Sequence, residues 1–522
     1  MRIHACRPAR ARDTGLPGAA NYYRLLPAVL AGLCAQAACL GAGQMELTVY
    51  ETNRAGLRME AVPVSCDPQD AGNPVRIRID PEDRRQEILG IGGALTESSG
   101  YALGQIEAAK RREVLERYFG SEGAGYSMVR VPVASCDFST GSYTYAPVAG
   151  DTELEHFSIE RDRRWVLPLI EDARAASTGG FRILASPWTA PPWMKDNNAY
   201  FGGRLKPEHY GTFADYWVRY LRAYQREGID IWGITPLNEP LGNGSQWESM
   251  EFSPKEMAQF IGDNLGPALE EAGLDPELYI FDQNRDEVIE WAELLLHDEK
   301  VRKYSDGVAV HWYSHTTDPL PGVLDELRER FAGFPVIHSE GCIDAMGNDE
   351  AHRSWLEDDW YWRAEATDWG YYFAPEDKKQ DHPKYRPFYR YTRDILVGLN
   401  HGMAGWIDWN IVLDFDGGPN HADNFCGAPV LVDGETNSVY YTPLYYAVAH
   451  FSRFIRPGSV VLGSEVSQEG LLCLAAENPD GSRVAVVFNP TGEPVPYTLS
   501  MDGKVNRLKI SAQGLQTIVM KF

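Results

Sequence analysis

Apolar residues along this chain gather in short runs of extended-chain character, separated by longer stretches with a different period. The short runs are rich in β-branched and aromatic side chains: EILGIGG (87–93), YSMVRVPV (126–133), FRILASPW (181–188), IWGITPL (231–237), LYIFD (278–282), GVAVHWY (307–313), FPVIHSE (334–340) and MAGWIDWN (403–410). Between them, segments 105–119, 210–227 and 253–272 place apolar residues at helical spacing. Strands alternating with helices predict a parallel sheet. Eight such units predict an α/β fold of the closed (β/α)8 TIM-barrel kind.

The two ends of the chain read differently. Strand-like runs at 45–50 and 75–80 precede the barrel, and runs at 471–476, 483–489, 495–500 and 515–521 follow Ser459, divided by Gly, Pro, Asn and Asp. They predict an accessory β-sandwich built from the N-terminal strands and the C-terminal segment. The expected organisation is a leader over 1–43, sandwich strands over 44–80, a catalytic barrel over 81–445 and the rest of the sandwich over 446–522.

Charge narrows the partners. The net charge of −25 over 522 residues argues against nucleic acid and against anionic membrane surfaces, both of which call for clustered Lys and Arg. Residues 1–43 run the other way, with Arg2, Arg7, Arg10, Arg12 and Arg24 against Asp13, so they carry +4 and the remainder −29. An apolar run from Leu25 to Leu40 follows, with a small-residue cleavage pattern at Ala35-Gln36-Ala37. This reads as a signal peptide for secretion or the periplasm; the alternative is a mis-placed start codon ahead of a cytoplasmic protein. No other stretch approaches the ~20 apolar residues of a membrane span. Beyond the leader, Cys66, Cys136, Cys342, Cys426 and Cys473 are odd in number and widely spaced, which predicts buried thiols rather than a disulfide framework.

In a barrel of this kind chemistry sits where strands end. The predicted strands end in Asp137, Trp188, Asn238-Glu239, Asp282, His311 with Tyr313, Glu340, and Asp408-Trp409-Asn410. Each alone has an ordinary structural reading; carboxylates and aromatics gathered at one rim do not. Glycoside cleavage needs a carboxylic acid to protonate the leaving oxygen, and Glu239, held at the mouth by Pro240, is the candidate acid/base. Glu340 lies 101 residues further on, three βα units around the ring, and is the candidate nucleophile. Asn238 is placed to bond a sugar 2-hydroxyl, Tyr313 to donate to Glu340, and Arg130, inside a strand, to pair with a carboxylate near the nucleophile. Trp188 and Trp409 are candidates for a sugar floor; Asp137, Asp408 and Asn424 for hydroxyl binding. His311 and His315 are spaced i, i+4 without a third ligand, so neither metal nor cofactor is expected.

Several segments together resemble glycoside hydrolase family 30, the family of acid glucosylceramidases and their microbial relatives. They are GIGGALTES (90–98), VRVPVASCDFSTGSYTY (129–145), ASPWTAPPWMK (185–195), TPLNEP (235–240), AVHWY (309–313), SEGC (339–342), GWIDWNIVL (405–413), GGPNHADNF (417–425) and AHFSRFIRPGS (449–459). The resemblance runs from about residue 45 to the end. It implies a retaining barrel with acid/base Glu239 after strand four and nucleophile Glu340 after strand seven. It also implies glucose-holding roles for Asp137, Trp188, Asn238, Tyr313, Trp409 and Asn424. The chain departs from the pattern in the stretch from Glu340 to Met403, 63 positions further on, with a Trp-rich stretch at 355–369, and in the loop after Glu239; both are expected to shape the aglycone side. The expected activity is an exo-acting β-glucosidase of glucosylceramidase type on a β-linked glucoside or oligosaccharide, at mildly acidic pH because Glu239 must start protonated. The alternatives are an endo-β-1,6-glucanase or β-xylosidase using the same carboxylates and, from another class, a non-catalytic sugar-binding barrel.

Overall fold

The computed structural model describes residues 44–64, 74–314, 317–343, 354–363, 376–377 and 384–521; the expected leader, Cys66 and His315 lie outside them. Three strands come first: β1 (Glu46–Asn53), β2 (Glu60–Val62) and β3 (Val75–Glu87). In β3 the run VRIRID alternates buried and solvent-facing residues, as a half-covered strand must. The barrel strands follow: β4 (Gly90–Ala94), β5 (Met128–Val133), β6 (Arg182–Pro187), β7 (Gly233–Ile234), β8 (Glu277–Asn284), β9 (Gly307–His311), β10 (Val336–Glu340) and β11 (Met403–Asn410). They close in the order β10-β11-β4-β5-β6-β7-β8-β9, all neighbours parallel. β7 is shorter than its apolar run because Pro236 has no N–H to give the ladder.

Beyond the barrel, β12 (Val412–Asp414), β13 (Val430–Asp433) and β14 (Ser438–Tyr441) form a small sheet that sequence reading did not anticipate. The last six strands are β15 (Val460–Val466), β16 (Leu472–Glu477), β17 (Arg483–Asn489), β18 (Val495–Met501), β19 (Lys504–Ile510) and β20 (Gly514–Lys521). They join the N-terminal strands in a nine-stranded sheet of order β19-β18-β3-β15-β16-β17-β20-β1-β2. Tyr497 of β18 donates to Gln516 of β20 (2.7 Å), and one apolar cluster draws on both ends of the sheet, so it curls over itself as a sandwich. β3 runs past the expected boundary at 80 to Glu87, and the helix Pro443–Ser452 extends beyond 445 while packing on β4. Barrel and sandwich thus share elements rather than a linker.

A cluster of Met128, Leu184, Tyr279, Ala309, Ile337 and Ile407, one side chain from each of six strands, plugs the bore. Side chains alternate along a strand, so the residue two further on faces the bore one layer nearer the mouth. That layer holds Arg130, Ser186, His311, Ser339 and Trp409. On β8 the alternation would place Phe281 there. A register shift between Phe281 and Gln283, with positive φ at Phe281 (77°) and Asp282 (62°), sends Phe281 to the outer core against Trp291 and brings Asp282 inward instead.

Within the Trp-rich departure, the described residues 354–363 hold Trp355, Trp360 and Trp362, of which Trp360 is half-buried. Trp355 and Trp362 are buried; Trp355 Nε1 donates to the Phe415 carbonyl and Trp362 stacks on Phe388 at 4.0 Å. Asp358 and Asp359 pair with Arg58 and Arg54 near β1 and β2. Among the described residues, Cys136, Cys342, Cys426 and Cys473 are buried thiols, and no helix is long and apolar enough to cross a membrane.

Candidate active site

Arg130 is the fixed point of the mouth. It is wholly buried, where a lone guanidinium would be prohibitive, and every nitrogen is engaged. Nη1 donates to Glu340 Oε2 (2.6 Å) and the Ser339 carbonyl (3.3 Å), Nη2 to Asn238 Oδ1 (2.9 Å) and Asp282 Oδ2 (2.6 Å), and Nε to Ser186 Oγ (3.1 Å). Asp282, also wholly buried, accepts further bonds from Thr235 Oγ1 and Ser339 Oγ (2.6 Å each). Burial opposes its charge, but Arg130 and then His311 and Ser339 outweigh it and hold the carboxyl well below the usual range.

Glu340 ends β10. Tyr313 Oη donates to its second oxygen at 2.9 Å, so each carboxylate oxygen has one donor. Burial raises the Glu340 carboxyl, His311 and Arg130 pull it back, and Glu239 and Asp282 push it up again; the net direction is upward. Tyr313 is itself raised by burial and by nearby Cys342 and Glu340, so it stays a phenol and a donor. Glu239 leaves the ladder in a left-handed conformation (φ 48°), a strained geometry for a non-glycine residue. Its N–H donates to the Asp282 carbonyl (2.9 Å), and its own carbonyl accepts from Gly242 N (2.8 Å).

His311 bridges the two acidic groups, with Nδ1 3.2 Å from Glu239 Oε1 and Nε2 3.0 Å from Asp282 Oδ1. Burial would lower the imidazole; the Glu340 charge, then the bonds to Asp282 and Glu239, reverse this and raise it to about 9. Glu239, His311 and Glu340 each present an atom within 4.8 Å of the other two. A metal would fit that spacing, but would have to displace the proton that the surrounding carboxylates favour on His311.

The remaining sugar-binding candidates form two walls. Trp188 and Trp409 stack at 5.1 Å and 21°, and the Arg130 guanidinium lies 4.9 Å from the Trp188 ring. Asp137 accepts from Asn424 Nδ2 at 2.8 Å. Burial, then the Glu340 charge, raises its carboxyl to about 8. Asp408 stands apart. Its neighbour Trp409 occupies the inward position, so Asp408 points to the outside of the barrel, where Tyr391 Oη donates to it at 2.8 Å. Its expected hydroxyl-binding place is therefore empty of it. Conversely, Ser186, Thr235 and Ser339 belong to the network and were not singled out by sequence; their signal was position, one residue pair above the bore plug.

Residues 88–361 and 348–455 match the model of the glycosyl hydrolase family 30 TIM-barrel domain, and residues 458–518 match that of the family 30 beta sandwich domain. The chain belongs to glycosyl hydrolase family 30. It is therefore a glycosidase. Among its family 30 relatives, the lysosomal acid glucosylceramidase of Mus musculus is 34% identical over 463 residues, covering 86% of this chain and 84% of the relative. An endo-1,6-β-D-glucanase of Neurospora crassa is 29% identical over 436 residues, 80% of this chain and 82% of the relative. The crystal structure of SrfJ from Salmonella typhimurium matches with a TM-score of 0.79 at 29% identity, covering 91% of this chain and 100% of that one.

Proposed function

We propose that this family 30 member is a retaining, exo-acting β-glucosidase of the glucosylceramidase type, with Glu340 as nucleophile and Glu239 as acid/base. The observation that carries the reading is the approach of the two carboxylates, one oxygen of Glu239 lying within 4.8 Å of one oxygen of Glu340. Retaining pairs stand ~5–5.5 Å apart and inverting pairs ~6.5–9.5 Å, the wider gap being needed for a water.

In the first step Glu340 attacks the anomeric carbon as protonated Glu239 gives its proton to the departing oxygen. In the second, Glu239 takes a proton from water, which displaces Glu340 and frees the sugar. Arg130 and Tyr313 hold the nucleophile from both oxygens, and Asp282 balances the Arg130 charge so that Glu340 need not. His311, with Nδ1 3.2 Å from Glu239 Oε1, orients the carboxyl group that handles the proton in both steps. Asn238 is positioned by Arg130 to meet the 2-hydroxyl. Trp188 and Trp409 supply an apolar floor, and the Asp137–Asn424 wall binds hydroxyls remote from the scissile bond. With its carboxyl raised to about 8, Asp137 in its protonated form can donate as well as accept.

The Asn424–Asp137 hydrogen bond joins the loops after β11 and β5 at the rim, and a wall built on it would confine the site to a single terminal ring, which supports exo action. The similarity to the mouse glucosylceramidase supports glucose as that ring. An endo-β-1,6-glucanase is the second reading, favoured by the Neurospora relative. Initial rates on aryl β-glucoside, aryl β-xyloside, β-1,6-glucan and glucosylceramide separate the two. Turnover of aryl β-glucoside and glucosylceramide with release of glucose alone is expected; oligosaccharide release from β-1,6-glucan without aryl glucosidase activity refutes the exo reading.

A further inference from the structure

Glu248 sits in the loop that follows Glu239 and is wholly buried. A carboxylate there needs a partner, and its Oε1 lies 3.2 Å from His421 Nε2. His421 Nδ1 in turn lies 3.0 Å from the Ser139 carbonyl oxygen. A neutral imidazole carries one N–H, yet both ring nitrogens face acceptors, so the geometry is that of an imidazolium donating twice. Burial opposes this charge; Glu248 first, then the Ser139 carbonyl and Asp137, overcome it and raise the imidazole. The pairing likewise holds Glu248 down against its own burial, with help from Ser142, whose Oγ is 3.4 Å from His421 Nε2.

The pair stands at a junction of three rim loops. Ser139 is two residues past Asp137 on the loop after β5, Glu248 lies on the loop after β7, and His421 precedes Asn424 by three residues on the loop after β11. The 420–424 turn is internally braced. Asn420 Oδ1 accepts from Ala422 N (2.8 Å) and Asn424 N (3.1 Å), and Asn420 Nδ2 donates to the Asn424 carbonyl (3.0 Å). Wherever His421 is pinned, Asn424 is carried with it. The Glu248 loop is braced too: Lys195 Nζ donates to the Ser249 carbonyl at 2.8 Å, and Phe201 bridges Glu248 through the backbone.

We propose that His421, as an imidazolium paired with Glu248, is a positioning residue for glycoside recognition. It sets the Asp137–Asn424 wall at the spacing that grips sugar hydroxyls away from the scissile bond. The inference rests on the reading above that this wall holds the glycone. Neither Glu248 nor His421 touches the reacting atoms, so their removal weakens recognition and leaves bond cleavage in place.

The test uses the full chain as wild type, His421→Ala and Glu248→Gln, on an aryl β-glucoside and its 3-, 4- and 6-deoxy analogues. His421→Ala is expected to raise KM on the parent about tenfold with kcat changed less than about threefold. On the deoxy substrate that lacks the gripped hydroxyl, the variant and wild type should converge, because that contact is missing from both. Glu248→Gln preserves shape while removing the counter-charge and should give the same substrate-dependent pattern at smaller amplitude; it carries the test if His421→Ala does not fold. An equal loss on parent and deoxy substrates, or no loss on any, overturns the inference while leaving the proposed function standing. A wild type that fails to hydrolyse the parent glucoside overturns the proposed function, and this inference falls with it.

Discussion

Replacing Tyr313 by Phe isolates one of the two donors on Glu340. The hydroxyl at 2.9 Å is lost, Arg130 keeps its grip on the other oxygen, and the ring still packs edge-on to His311 at 6.1 Å. A hydrogen bond to a charged group contributes about 1.5–3 kcal/mol. At 1.36 kcal/mol per pKa unit, its removal from the ionised form raises the carboxyl by about 1–2 units. The direction adds to what burial already does to Glu340. The nucleophile must be ionised to attack, so the acidic limb of kcat/KM should move up by that amount on an aryl β-glucoside with a good leaving group. The limb is read on kcat/KM because that ratio reports groups of the free enzyme. A limb that stays within about 0.3 unit of wild type, in a variant of unchanged melting temperature, would refute the assignment of Glu340 as the group that must ionise.

Removing the acid/base should act by leaving group: Glu239→Ala is expected to lose about 10²–10⁴ in kcat/KM on a poorly departing alcohol and far less on a dinitrophenolate, and equal losses on both would contradict its role. Asp282→Asn leaves Arg130 with one buried counter-charge fewer and should destabilise the fold by about 3–5 kcal/mol, read as a lower midpoint in urea; an unchanged midpoint would show that the network is not a stabilising unit. The imidazole of His311 is raised to about 9 in the folded chain against an ordinary value of ~6.5. Its stabilisation is therefore fully present below pH ~6.5 and lost as pH rises through about 9. Urea midpoints in His311→Gln should depend less on pH across that window than those of wild type, and parallel curves would contradict it.

The barrel was legible because each of its strands is a short apolar run bounded by turn residues. The two rim carboxylates were legible because Glu239 and Glu340 each end an apolar run, Glu239 with Pro240 close behind it. Bulges were not legible. Alternation along LYIFD would put Phe281 in the bore, and only the left-handed backbone at 281 and 282 delivers Asp282 to Arg130. Asp408 illustrates the opposite failure. Once Trp409 is given the inward place, the adjacent residue must face out, and the sequence already contained that constraint. β19, with its charged outer residues in KVNRLKI, has too little apolar content to announce itself, and it is stabilised by pairing along its whole length with β18. The tryptophans at 355 and 362 look like rim aromatics in a loop because composition cannot tell a platform from a small core; their burial identifies them as the latter.

In the mechanism we propose, Glu340 forms a covalent bond to the sugar while Glu239, a few ångströms away, moves the proton. Incubation with an activated 2-deoxy-2-fluoro-β-glucoside, followed by proteolysis and mass spectrometry, tests it directly. One fluoroglucosyl group per chain is expected, carried by the peptide containing Ser339-Glu340-Gly341, with loss of activity in proportion to labelling. Label on another carboxylate, or continued hydrolysis of a β-glucoside to the inverted sugar with no label at all, would contradict it.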